Sequence, residues 1–144
     1  MKVADVMTSE VQLCTPDDTI KDAAEAMASL DIGSLPVAEG DHLVGMISDR
    51  DIAIRAVGKG QGADTKIREI MTHDIKYCFN DEDLESVSWN MGDIQVRRLP
   101  VLNRDKRLVG IISLGDIARS QIGNATAASL REISRSGGQH TLAS

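Results

Sequence analysis

Aromatic side chains are nearly absent from this chain: Tyr77, Phe79 and Trp89 are the whole set, 2% of 144 residues. Any core must therefore be built from Ile, Leu, Val, Ala and Met, and base stacking on aromatic platforms is excluded as a binding mode. Positive charge is also scarce, the formal net charge being −6. A protein that wraps nucleic acid needs a basic face to displace counterions, so nucleic acid is not expected as a partner, although one small phosphate ligand remains compatible with this charge. No 18-residue apolar window occurs, and "MKVADVMTSEV" has no signal-like apolar run, which predicts no membrane partner and a cytoplasmic location. Two cysteines, Cys14 and Cys78, are too few for a disulfide framework and read as free thiols.

What is present is a repeat. Shifted by about 64 residues, "VADVMTSEVQLCTPDDTI" from Val3 lies over "IREIMTHDIKYCFNDEDL" from Ile67, matching Met7 with Met71, Thr8 with Thr72 and Cys14 with Cys78. Ile20, Ala23, Ala24, Met27 and Leu30 follow helical apolar spacing, as do Leu84, Val87, Ser88, Met91 and Ile94. Each predicted helix is preceded by capping and acidic residues, "TPDDT" and "NDEDL". Next come "SLPVAEGDHLVGMIS" and "RLPVLNRDKRLVGIIS", apolar strands about a polar turn, and then a second helix, "DIAIRAV" or "DIARSQI". Each copy thus reads strand-helix-strand-strand-helix, an α/β (α+β) fold. Fusing two copies lets each cover the sheet face the other leaves bare, about a pseudo-twofold axis. "GKGQGAD" between them has the composition of a flexible linker; it lacks the Gly-Lys-Ser/Thr ending of a phosphate loop and follows a helix.

The residues that suggest chemistry are Ser48 with Asp51 and their copies Ser113 with Asp116. At a strand-to-helix junction S-x-x-D is a capping box, which by itself accounts for both. The same carboxylate can accept two hydrogen bonds from a ribose diol, while free amides at the junction attract an anion. Spacing leaves both readings open. Cys14 and Cys78 at equivalent positions suit either a redox switch or a buried thiol copied by the duplication. His42, His73 and His140 are scattered, and His73 with Cys78 is no metal-ligand spacing.

Together, "VADVMT" and "IREIMT", "SLPV" and "RLPV", "GMISDRDIA" and "GIISLGDIA" resemble the paired cystathionine-beta-synthase (CBS) domains, or Bateman modules, over Val3 to Ile122. The resemblance implies residues 1–57 as a first CBS unit and 65–122 as a second, with 58–64 as linker; the Ser-, Ala- and Gly-rich stretch 123–144 has no counterpart in the repeat and reads as a C-terminal tail, a short helix near Ala127 to Ile133 and then disorder. The family binds adenosine-containing molecules, AMP, ADP, ATP, NAD or S-adenosylmethionine, in clefts between its units, and it regulates something else. It implies ribose contacts for Asp51 and Asp116 and phosphate contacts for Ser48 and Ser113. It points to Val6, Met7 and Leu35 in one copy, and Ile70, Met71 and Leu99 in the other, as enclosing the base. Arg97 and Arg98, where the first copy has Gly33 and Ser34, fall where the family holds phosphate; in an extended segment only one of them enters a cleft. Arg50 and Arg55 also come within reach of a phosphate. Partners implied are a second copy of the chain, four CBS units in a disc, and an effector protein. No activated nucleophile or paired acid and base is visible, so a regulatory module rather than an enzyme is expected. The rival is an interaction protein with empty clefts; a nucleotide-cleaving enzyme lacks a general base, and a DNA-linked regulator lacks basic charge.

Overall fold

Helix α1 (Ile20–Leu30) starts where "TPDDT" ends, because Thr19 and Asp22 cap it. Asp22 N–H donates to Thr19 Oγ1 at 3.2 Å and Thr19 N–H donates to the Asp22 carboxylate at 3.1 Å, satisfying two amides that the helix leaves open. The helix stops at Asp31, whose left-handed φ of 54° ends the α geometry. It buries Ile20, Ala23 and Met27, while Ala24 and Leu30, counted on the apolar stripe by spacing, are exposed. The computed structural model describes residues 1–94 and 96–120, so the tail and its expected helix near Ala127 to Ile133 lie outside the described residues.

After α1, β1 (Ser34–Glu39) and β2 (His42–Ser48) form an antiparallel hairpin with Ser34 opposite Ser48 and Leu35 opposite Ile47. Its turn contains Gly40 at a φ of 63°, a conformation glycine adopts without a Cβ clash. The closing helix of this copy is π-helical over Asp51–Ala56. In the second copy, β3 (Cys78–Phe79), α2 (Leu84–Ile94), β4 (Arg98–Leu102), β5 (Leu108–Ser113) and α3 (Leu114–Arg119) follow in order. The sheet order is β3-β4-β5, with β3 parallel to β4. The strand expected at the front of each copy is thus only the short β3 in one, and in the other a single parallel bridge from Cys14 to Val37. The residues before each, Val3–Asp5 and Ile67–Glu69, are 3-10 turns.

Two compact bodies result, and they divide the chain differently from the repeat. One consists of Val11–Lys76 with Lys106–Leu108; the other consists of Met1–Glu10, Tyr77–Asp105 and the described chain from Val109. The opening segments have changed places. "VADVMT" packs in the β4–β5 body, where Val3 N–H donates to the Glu82 carbonyl (3.1 Å) and Thr8 and Ile111 exchange backbone bonds at 2.9 Å each. "IREIMT" packs in the β1–β2 body, where Ile67 N–H donates to Asp18 (2.9 Å) and Thr72 exchanges bonds with Met46 at 2.8 and 3.0 Å. Gly45 and Gly110 permit this approach: a Cβ on Gly45 would stand 3.0 Å from the Thr72 carbonyl oxygen, and one on Gly110 would stand 2.9 Å from that of Thr8.

The stretch 58–64 therefore lies inside the β1–β2 body rather than between bodies. Near its end, Lys21 N–H of α1 donates to the Ala63 carbonyl at 3.2 Å, and just past it Ile20 N–H donates to the Thr65 carbonyl at 2.9 Å. Each body has its own aliphatic core. Leu35, Val37, Ile47, Ile67 and Ile70 sit in one, and Val3, Leu84, Leu99, Val101 and Ile112 in the other.

Candidate functional site

At the end of β2, Ser48 and Asp51 hold each other. Ser48 N–H donates to Asp51 Oδ2 and Asp51 N–H to Ser48 Oγ, both at 3.0 Å. The exchanged segment adds a third contact, Thr72 Oγ1 donating to the same carboxylate at 3.3 and 3.4 Å. Arg55, one helical turn on, brings Nη1 to 3.6 Å from Asp51 Oδ1 and donates to the Met71 carbonyl at 3.4 Å. The Asp51 side chain is 13% exposed. This gathers a carboxylate, a serine, a threonine and a guanidinium within one body, whose core holds the buried Leu35, Ile70 and Met71.

The second box repeats the first: Ser113 N–H donates to Asp116 Oδ2 and Asp116 N–H to Ser113 Oγ, both at 3.0 Å. Here Arg119 donates to Asp116, whose side chain is 10% exposed. Leu99 is buried in the same core, with Val6 and Met7 half-buried against it. The apolar residues expected to enclose a base thus group across the copies, Val6 and Met7 with Leu99, and Ile70 and Met71 with Leu35. The grouping by copy is corrected because the opening segments change places. Arg97 and Arg98 are exposed at the start of β4, and the Arg97 carbonyl accepts from Leu114 N–H at 3.0 Å.

Sequence reasoning matched Thr8 with Thr72 without assigning either a role, and it passed over Arg119. The doubled "MT" was the available signal for Thr72, and the Asp-to-Arg spacing of three was the signal for Arg119. The thiols have less to offer. Burial, aided by Asp18 and Asp22, pushes Cys14 up to about 11; burial, aided by Glu82, pushes Cys78 up to about 12. Both are free and buried, which keeps them as weak nucleophiles. Among the described residues, no three or more His, Cys, Asp or Glu side chains gather as metal ligands, and no helix is long and apolar enough to cross a membrane.

The comparisons agree with this architecture. The CBS domain family model matches residues 3–58 and 67–123. The chain belongs to the CBS-domain family, as a pair of such domains. It is 39% identical over 127 residues to the CBS domain-containing protein YhcV of Bacillus subtilis (strain 168), covering 88% of this chain and 90% of that one. Among solved structures, the CBS domain pair of protein MJ0100 in complex with 5′-methylthioadenosine and S-adenosyl-L-methionine is similar at 29% identity and TM-score 0.70, over 83% of this chain and 94% of that one. CBSX2 in complex with AMP is similar at 25% identity and TM-score 0.73, over 84% and 96%.

Proposed function

We propose that the chain is a non-catalytic regulatory module that binds an adenosine-containing ligand, AMP, ADP, ATP, NAD or S-adenosylmethionine, and thereby modulates an effector protein. The observation that carries this reading is the doubled Ser–Asp box, with a nearly buried carboxylate beside apolar residues in each body. Such a carboxylate suits a ribose diol, and Leu35 with Met71, or Leu99 with Met7, suits an adenine face. The ligands of the MJ0100 pair and of CBSX2 support the class. For phosphate, register favours Arg98. Ser34 stands opposite Ser48, and directly opposed residues project from the same face. The repeat puts Arg98 in the place of Ser34 and Ser113 in the place of Ser48. Regulation requires that the ligand bind one arrangement of the module better than another.

The test is thermal unfolding of the wild type, Asp51→Ala and Asp116→Ala against these five ligands. A ligand at a hundred times its Kd adds about 2.7 kcal/mol, a rise in Tm of several degrees at this size. A rise with at least one ligand, lost in one aspartate variant, is the expected result. A second reading, an interaction protein without a ligand, has its own support: Ser48, Thr72 and Arg55 surround Asp51, and Ser113 and Arg119 surround Asp116, with no ligand needed. If no ligand moves Tm in protein freed of copurified nucleotide, that second reading stands.

A further inference from the structure

The two bodies carry opposite charge at one equivalent place next to their Ser–Asp boxes. In the β1–β2 body Asp49 follows Ser48, and its N–H donates to the Gly33 carbonyl at 2.9 Å. Its exposed carboxylate occupies the space a side chain on residue 33 would enter, a Cβ there falling 3.2 Å from Asp49 Oδ2. In the β4–β5 body the same backbone bond runs from Leu114 to Arg97. Leu114 is buried in the core, and Arg97 and Arg98 are exposed where Gly33 and Ser34 stand in the first copy. At residue 33 one box meets a carboxylate, where the other has two guanidinium groups at residues 97 and 98; the first box also has the exposed Arg50, next to Asp49, where the second copy has Gly115. Arg55 does not offset the difference, since it is already set against Asp51 and the Met71 carbonyl.

A phosphate beside Ser48 would meet Asp49 at like charge, whereas beside Ser113 it would meet arginine. We propose that Asp49 is a specificity residue that excludes phosphate from the Ser48–Asp51 site, so that the two sites of one chain take different classes of adenosine ligand. The Ser113–Asp116 site takes a 5′-phosphorylated adenosine. The Ser48–Asp51 site takes an adenosine whose 5′ substituent is a neutral thioether or a cationic sulfonium. The assignment rests on the adenosine-binding reading above.

Calorimetric titration of the full chain with AMP and with 5′-methylthioadenosine, using wild type, Asp49→Asn, Asp51→Ala and Asp116→Ala, separates the outcomes. AMP should bind one per chain, be lost in Asp116→Ala and survive in Asp51→Ala; 5′-methylthioadenosine should bind a site lost in Asp51→Ala. Asp49→Asn keeps the shape of an exposed side chain and should raise AMP affinity at the Ser48–Asp51 site on the order of tenfold or more. Unliganded melting curves check that each variant is folded. Two equal AMP sites in the wild type, AMP lost in Asp51→Ala instead, or no change in Asp49→Asn would overturn the assignment while leaving adenosine binding intact. No binding of either probe would overturn the adenosine reading itself, and this assignment with it.

Discussion

Replacing Gly110 by alanine tests which opening segment lies against β5. A Cβ there would stand 2.6 Å from Met7 Sδ and 2.9 Å from the Thr8 carbonyl oxygen. The thioether can swing away. The carbonyl is held, because it accepts from Ile111 N–H at 2.9 Å while Thr8 N–H donates back at 2.9 Å. Overpacking against such a contact destabilises by about 1–3 kcal/mol, several degrees of Tm at this length. A double-mutant cycle followed by urea unfolding assigns the contact. Met7→Ala removes the nearer clash, so Gly110→Ala and Met7→Ala should couple by roughly 0.5 kcal/mol or more. Met71 packs on Gly45 instead, where a Cβ would stand 2.8 Å from its Sδ. Gly110→Ala and Met71→Ala should therefore be additive within about 0.5 kcal/mol. Coupling of Gly110 to Met71, and none to Met7, would refute the exchange of segments.

Two further outcomes follow from burial and exposure. Cys14 and Cys78 have folded values of about 11 and about 12 against an ordinary 9.0. Between pH 9 and those values the unfolded chain releases protons that the folded chain keeps. Stability is therefore unaffected by the thiols below pH 9 and falls above it, by up to about 1.4 kcal/mol per pH unit for each thiol. Urea unfolding at pH 8 and pH 10 should show a smaller fall in Cys14→Ser/Cys78→Ser, and an equal fall would contradict the burial. We further propose that the chain is a homodimer, supported by Trp89, 48% exposed on α2, and Leu30, 45% exposed at the end of α1. Light scattering at micromolar concentration should return twice the chain mass and shift toward the monomer in Trp89→Glu; a wild-type monomer would contradict it.

Much of this protein is written in short-range patterns. The run "TPDDT" announced the Thr19–Asp22 cap of α1, the spacing of Leu84, Val87, Ser88 and Met91 matches the buried face of α2, and S-x-x-D became a reciprocal hydrogen-bonded box in both copies. These depend on residues three or four apart, where backbone geometry leaves few choices. The glycines of "LVGMIS" and "LVGIIS" were visible as matched letters, but their purpose was not. It depends on Met7 and Met71, which are distant in the chain. The same is true of Thr72, whose partner Asp51 lies 21 residues away.

The sequence by itself determined that there are two copies, the run of helix, strand, strand and helix in each, and the residues at each turn of strand into helix. Only the tertiary structure decided that "VADVMT" serves the second hairpin and "IREIMT" the first, and hence which apolar residues share a body with which aspartate. Two segments of the same apolar pattern satisfy either hairpin equally well by local pattern. The choice between them belongs to packing across the whole chain, which no short window of residues contains.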